Sequence, residues 1–159
     1  MIIIAPYAKA MRVDKPHPKN YPYWPELISG INDHVVQVGV EGEYQLTKDF
    51  RKGLSIAELT KIIKACHTWI SVDSFFQHLA WDAGKKGIVL FGQSDPLIFG
   101  HPENINLLAS RKLLREKQFW LWEQTELNPE TFVRPKIVLE ALATIPRQTS
   151  PQQEQFSVE

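Results

Sequence analysis

The stretch Thr68–Pro96, TWISVDSFFQHLAWDAGKKGIVLFGQSDP, decides the fold. Thr68–Val72 is an apolar run of strand length, and Asp73-Ser74 interrupts it. Ser74–Ala83 reads as a helix, Gly87–Phe91 as a second apolar strand, and Gly92-Gln93-Ser94-Asp95-Pro96 as a turn. A strand that runs into an acid and a hydroxyl at a helix start builds an anion site. The helix presents unpaired N–H groups and the positive end of its dipole there. In open parallel sheets, ligands bind beyond the carboxyl ends of the strands, where Asp73 and Ser74 stand. The segment points to a phosphate-bearing small molecule.

Outward from this unit the same alternation continues. Met1–Ala5, His34–Val40 and Asn104–Leu108 read as further strands, and residues 8–23 as a loop rich in Pro, Lys and Tyr. Pro25 suits the first turn of a helix that runs to about Ile31. Ser55-Ile56-Ala57-Glu58 is a capping-box pattern. The helix it opens sets Ile56, Leu59, Ile62, Ile63 and Cys66 on one face. Gln118–Leu127 and Glu130–Ala143 are expected to be helical, with Asn128-Pro129 as cap and first position of the second. Short apolar strands alternating with amphipathic helices give an α/β domain, a parallel sheet of about five strands with helices on both faces. The expected domain spans residues 1–148, and the Gln- and Ser-rich residues 149–159 read as a flexible tail.

The 159 residues carry 18 basic and 18 acidic side chains, a balance that argues against duplex nucleic acid as a partner. The single cysteine, Cys66, cannot form an internal bridge, which fits a reducing, cytoplasmic setting. Apolar runs fall short of the roughly 20 residues of a membrane helix, so no membrane span is expected. The five histidines lack the spacing of a metal site, and neither a metal nor a cofactor is expected. No GxGxxG, GxxxxGK[ST] or GxSxG pattern occurs.

Asp73 is either a helix N-cap or an orienting group for a phosphate held by Ser74 and the first-turn N–H groups; the two roles are compatible. His78 stands one turn after Ser74, either as a phosphate donor or as a helix residue bonded to a carbonyl. Gly92, Ser94 and Asp95 form a turn near the site, with or without a ligand.

The combination resembles glycosyltransferase family 9, the lipopolysaccharide heptosyltransferases, whose members have two Rossmann-like domains. The donor-binding half of that family carries D-[ST]-G-x-x-H-L after a strand, then a strand and G-x-T-D-P. Here these appear as Asp73-Ser74-Phe75-Phe76-Gln77-His78-Leu79 and Gly92-Gln93-Ser94-Asp95-Pro96. The family's K-x-W-P and W-x-x-L-I are echoed by Lys19-Asn20-Tyr21-Pro22 and Trp24-Pro25-Glu26-Leu27-Ile28. Its S-[IL]-x-E-L helix matches Ser55–Leu59. The resemblance covers roughly residues 1–108. It implies a single Rossmann-like domain, half of a GT-B fold, that holds a nucleotide-diphosphate sugar as substrate. Lys19, Asp73, Ser74, the backbone at Phe75 and His78 would hold the diphosphate, and Glu41 or Glu43 the nucleoside. No metal is implied, because helix N-termini and basic side chains can offset the diphosphate charge.

Two departures stand out. Phe75 replaces the family's glycine, and no acceptor-binding half is represented, so no catalytic residue is nominated. A glycosyltransferase of this kind would complete its active site with an acceptor-domain subunit or as a homodimer. The alternatives are a non-catalytic protein that senses or sequesters a nucleotide or nucleotide sugar, and an interaction scaffold on the same fold.

Overall fold

The computed structural model describes residues 1–147; the expected tail lies outside them. Its centre is the strand that opens the chain, β1 (Ile2–Ala5), buried along its whole length. Then follow α1 (Trp24–Ser29), β2 (Val35–Gly39), β3 (Asp49–Lys52), α2 (Ile56–Ala65), β4 (Thr68–Val72) and α3 (Phe75–Asp82). The chain continues through β5 (Ile88–Phe91), the single turn α4 (Pro96–Phe99), β6 (Ile105–Leu108), three short 3₁₀ turns and α5 (Pro135–Ala143).

All five strand pairings are parallel, in the order β3-β2-β1-β4-β5-β6. The chain winds outward from β1 in one direction, returns, and winds outward in the other from β4. The crevice between the β1 and β4 ends is therefore the topological switch point. The six-stranded sheet with helices on both faces is the Rossmann-like α/β architecture.

Side chains alternate across the sheet with the strand period of two. Ile2, Ile4, Ile70, Val72, Ile88 and Leu90 pack with Tyr21, Trp24 and Leu27 around α1, and with Phe132 and Val138 toward α5. Ile3, Ala5, Val36, Val38, Trp69, Val89 and Phe91 pack on the opposite face with Ile63 of α2, its C-cap Cys66, and Phe76 and Ala80 of α3. Burial on both faces explains why β1, β4 and β5 read as unbroken apolar runs.

The capping box of α2 is formed: Glu58 N–H donates to Ser55 Oγ at 3.1 Å and Ser55 N–H to Glu58 Oε2 at 2.7 Å. Ile63 and Cys66 of its apolar stripe are buried, but Ile56 is 63% exposed.

Three expectations need correction. The sheet has six strands, because Asp49–Lys52 pairs with β2 as an edge strand. Its charged residues give no apolar signal, since an edge strand is paired on one side only. Residues 118–127 form no α-helix; only Trp122–Gln124 makes a 3₁₀ turn. There Arg115 competes with helical hydrogen bonding. Its guanidinium donates to the carbonyls of Gln118 and Trp120 at 2.9 and 2.8 Å and stacks 3.3 Å from the Trp122 ring centre. Asn128 caps only the 3₁₀ turn Pro129–Thr131, and the last helix starts at Pro135, whose fixed φ suits a first helical position.

Candidate functional site

A cleft of about 1280 Å³ lies over the carboxyl ends of the central strands. Ala5 ends β1 at its floor, Val38 and Gly39 end β2, and Asp73-Ser74 follow β4. The 8–20 loop forms one wall. Tyr44, Leu54, Ile56 and Leu59 line the side over β2 and β3.

At the switch point Lys19 meets Asp73. The Lys19 ammonium lies 3.2 Å from Asp73 Oδ2, and both side chains are largely removed from solvent. The contact is an ion pair without hydrogen-bond geometry, since Oδ2 accepts no hydrogen bond among the described residues. The other carboxylate oxygen accepts from Gln77 Nε2 at 2.7 Å. Aromatic rings hold the ammonium from the other side, with Trp122 at 5.1 Å and Phe99 at 5.9 Å from ring centre to nitrogen.

Asp73 is not the helix cap. The N-cap of α3 is Ser74, in extended conformation, and its hydroxyl makes no capping hydrogen bond. The first-turn N–H groups of α3 thus have no side-chain partner and face the end of the cleft that Ser74 and Phe75 line. A cation and a free helix N-terminus converge where an anion would be held. Phe75 lines the cleft with its ring 63% exposed.

Glu41 and Glu43 both border the β2 side of the cleft. Glu41 is exposed and pairs with Lys52 at 3.3 Å. Glu43 is half-buried and has no ion-pair partner among the described residues; burial pushes its carboxyl above the usual range. Its carboxylate rests on Gly39, where a Cβ would collide with it. Tyr7 stands beside it, its hydroxyl also raised, first by burial and then by Glu43.

The other nominated residues do not line the cleft. His78 Nδ1 lies 2.8 Å from His101 Nε2, and His101 stacks on Trp81 at 4.6 Å. Burial, and then His101, lowers the His78 pKa. Gly92 packs under the Phe132 ring, with no room for a Cβ. Ser94 is buried. Asp95 accepts from Leu97 N–H at 2.9 Å and pairs with both Arg111 amino groups at 2.9 and 2.8 Å. The turn after β5 is therefore occupied by its own cap and ion pair.

Sequence reasoning missed His17, Trp122 and Arg115. His17 is 9% exposed, and its Nδ1 accepts the Lys19 N–H at 3.1 Å. Burial and then the Lys19 charge lower its pKa to about 4, so the ring is neutral at pH 7. No local pattern marks these three, because their meeting depends on how the 115–126 segment folds over the sheet. Among the described residues, no cluster of three or more His, Cys, Asp or Glu could hold a metal ion, and no helix is long and apolar enough to cross a membrane.

No curated protein matches the sequence. Residues 52–129 match the model of glycosyltransferase family 9 (heptosyltransferase). Three solved Escherichia coli structures are similar. Heptosyltransferase WaaC with ADP is 16% identical, over 91% of this chain and 44% of its own, at a TM-score of 0.60. ADP-heptose LPS heptosyltransferase II is 16% identical, over 97% of this chain and 47% of its own, at 0.61. The dodecameric iron-containing heptosyltransferase TibC, in complex with ADP-D-β-D-heptose, is 13% identical, over 81% of this chain and 39% of its own, at 0.59. Such low identities establish likeness of fold, and the chain spans less than half the length of these structures. The chain is thus similar to glycosyltransferase family 9, the heptosyltransferase family, in sequence across residues 52–129, and to heptosyltransferase structures in fold across most of its length.

Proposed function

We propose that the cleft binds a nucleoside-diphosphate sugar and that the domain acts as the donor-binding half of a glycosyltransferase. The observation that carries this reading is the convergence of Lys19 with the uncapped N-terminus of α3 at the switch point. The ammonium and the helix N–H groups would hold the diphosphate, with the Ser74 hydroxyl beside them. In glycosyl transfer the same groups would stabilise the charge that builds on the departing diphosphate. Glu43 would accept hydrogen bonds from ribose hydroxyls on the β2 side. Its half-buried carboxylate, without an ion pair among the described residues, suits this better than the exposed, ion-paired Glu41.

Transfer also needs an acceptor and a base. Asp73 is a poor candidate for the base, being buried, paired with Lys19 and hydrogen-bonded to Gln77. A second body facing the cleft would supply both, whether a further domain, a partner subunit or another copy of this chain. TibC is described as dodecameric, which is compatible with self-association here.

Thermal-shift and calorimetric titration with ADP, UDP, GDP and CDP tests the reading. Ligand at about a hundred times its Kd should add about 2.7 kcal/mol of stability. Ser74→Ala should weaken binding of the best diphosphate about tenfold while leaving the melting temperature unchanged. No shift with any of the four would sink the donor-site reading.

A further inference from the structure

Ser74-Phe75-Phe76-Gln77 has the spacing of a capping box, with a hydroxyl at the N-cap and an amide three residues on. At α2 the same spacing closes into one, between Ser55 and Glu58. At α3 it stays open. The Ser74 hydroxyl makes no capping hydrogen bond. Gln77 turns instead to Asp73, and its Nε2 donates to Asp73 Oδ1 at 2.7 Å. Gln77 Oε1, the atom that would reach back to the Ser74 N–H, accepts no hydrogen bond among the described residues.

Gln77 is fully buried, and a buried amide oxygen without a partner works against stability. Helix α3 therefore forgoes both halves of its cap and keeps an unpaired acceptor in its first turn. Local rules broken together at one place mark a functional demand. What the arrangement secures is the orientation of the Asp73 carboxylate.

The consequence falls on Lys19. Its ammonium stands 3.2 Å from Asp73 Oδ2, with the Trp122 and Phe99 ring centres at 5.1 and 5.9 Å. Oδ2 accepts no hydrogen bond, and the ammonium donates none, among the described residues. Coulomb attraction and the ring faces thus hold the charge in place while its three N–H donors stay available. A carboxylate free to rotate would take one of them, because charge-assisted hydrogen bonds are the strong kind. By holding Oδ1, Gln77 keeps Asp73 from turning.

We propose that Gln77 is a positioning residue for the anion site. It latches Asp73 so that the carboxylate holds Lys19 by charge alone and leaves the hydrogen bonds of the ammonium to the diphosphate. The inference rests on the donor-site reading above and adds to it a residue that does not line the cleft.

The test titrates ADP, UDP, GDP and CDP calorimetrically into the wild-type chain, Gln77→Met, Asp73→Asn and the double variant. Methionine has similar volume and no hydrogen-bond donor for Asp73. For the diphosphate that binds best, Gln77→Met should raise the Kd about tenfold, as Asp73 turns onto Lys19. Adding Asp73→Asn should reverse this, because a neutral amide competes weakly for the ammonium. The double variant should bind within about threefold of Asp73→Asn alone. Damage to the helix itself would persist in the double variant. In a Lys19→Ala chain, Gln77→Met should raise the Kd no further. A wild-type measurement stands beside these variants: without ligand, NMR should show no through-hydrogen-bond coupling between Lys19 Nζ and Asp73 Cγ.

The latch is overturned if Asp73→Asn fails to restore binding to Gln77→Met, if Gln77→Met still weakens binding in the Lys19→Ala chain, or if that coupling is present in the wild type. Failure of all four diphosphates to bind the wild type overturns the donor-site reading and the latch with it. Binding of a diphosphate that Gln77→Met leaves unchanged overturns the latch alone.

Discussion

Lys19 and Asp73 face each other across the topological switch point, their charged atoms 3.2 Å apart and their side chains 22% and 5% exposed. The pair pins the long loop after β1 to the end of β4. A buried carboxylate left without its cation is costly, whereas loss of both charges is cheaper. Lys19→Ala should therefore destabilise the domain by about 3 kcal/mol. Asp73→Asn in the same chain should recover much of that loss. Urea unfolding of the single and double variants measures it, and a double variant no more stable than Lys19→Ala would show that the charge pairing is not the cause.

His17 makes stability depend on pH. Its pKa falls from 6.5 when exposed to about 4 in the fold, mainly through burial. Between those values the unfolded chain binds the proton and the folded one does not, so stability rises with pH across this window. It is fully present above pH 6.5 and is lost as pH falls toward 4. The slope from this one group is at most about 1.4 kcal/mol per pH unit. The groups facing the ring are Lys19, Arg115, Glu123 and Asp73. His17→Gln should remove this part of the slope in denaturation series from pH 7 to pH 4. His67 and His78, also lowered by burial, should leave a residual slope.

Gly92 and Asp95 should matter for folding and not for ligand. An alanine Cβ at Gly92 would lie 2.6 Å from the Phe132 ring, which is buried in the core. Gly92→Ala should cost about 1–3 kcal/mol through overpacking. Asp95→Asn should lower the melting temperature at pH 7 by weakening the Arg111 pair and the α4 cap. The lowered pKa of Asp95, set first by Arg111, makes its contribution present above the usual carboxylate range and lost in acid. Nucleotide affinity in both variants should match the wild type, and a large change in Kd would return this turn to the binding site.

Gln37 should hold the β2 side of the cleft in place. It is fully buried in β2; its amide donates to the Tyr44 carbonyl at 2.9 Å, and its oxygen accepts from the Leu46 and Thr47 N–H groups at 2.7 and 3.3 Å. Those bonds close the loop that carries Glu41 and Glu43. Gln37→Leu should cost about 2 kcal/mol, because it leaves backbone groups unpaired. Hydrogen exchange should quicken at Leu46 and Thr47 before the rest of the sheet; uniform quickening would point to general destabilisation instead.

Phe75 replaces a small residue of the family pattern, yet its ring is 63% exposed. Phe75→Ala should change stability by no more than about 0.5 kcal/mol. A larger loss in thermal unfolding would mean that the ring is anchored in the fold.

Much of the fold is legible in the sequence, because the signals are local. Ile2–Ala5, Thr68–Val72 and Ile88–Phe91 are buried on both faces, and their unbroken apolar runs say so. The capping box at Ser55 and Glu58 closes within four residues. The Asp-Ser step after β4 marks a strand end and a helix start whatever surrounds it. The fold class and the strand–helix alternation follow from such short-range physics.

What the tertiary structure decided is which distant residues share a space. Asp49–Lys52 becomes a strand only because β2 offers it an edge. Residues 118–127 fail as a helix because Arg115 draws their carbonyls inward and stacks on Trp122. Asp73 pairs with Lys19 and does not cap its helix, while Asp95 and Gly92 serve their own turn. His78 turns toward His101 and out of the cleft. Each outcome depends on contacts between segments far apart in the chain, where charge, packing and burial compete, and local pattern carries no information about the winner.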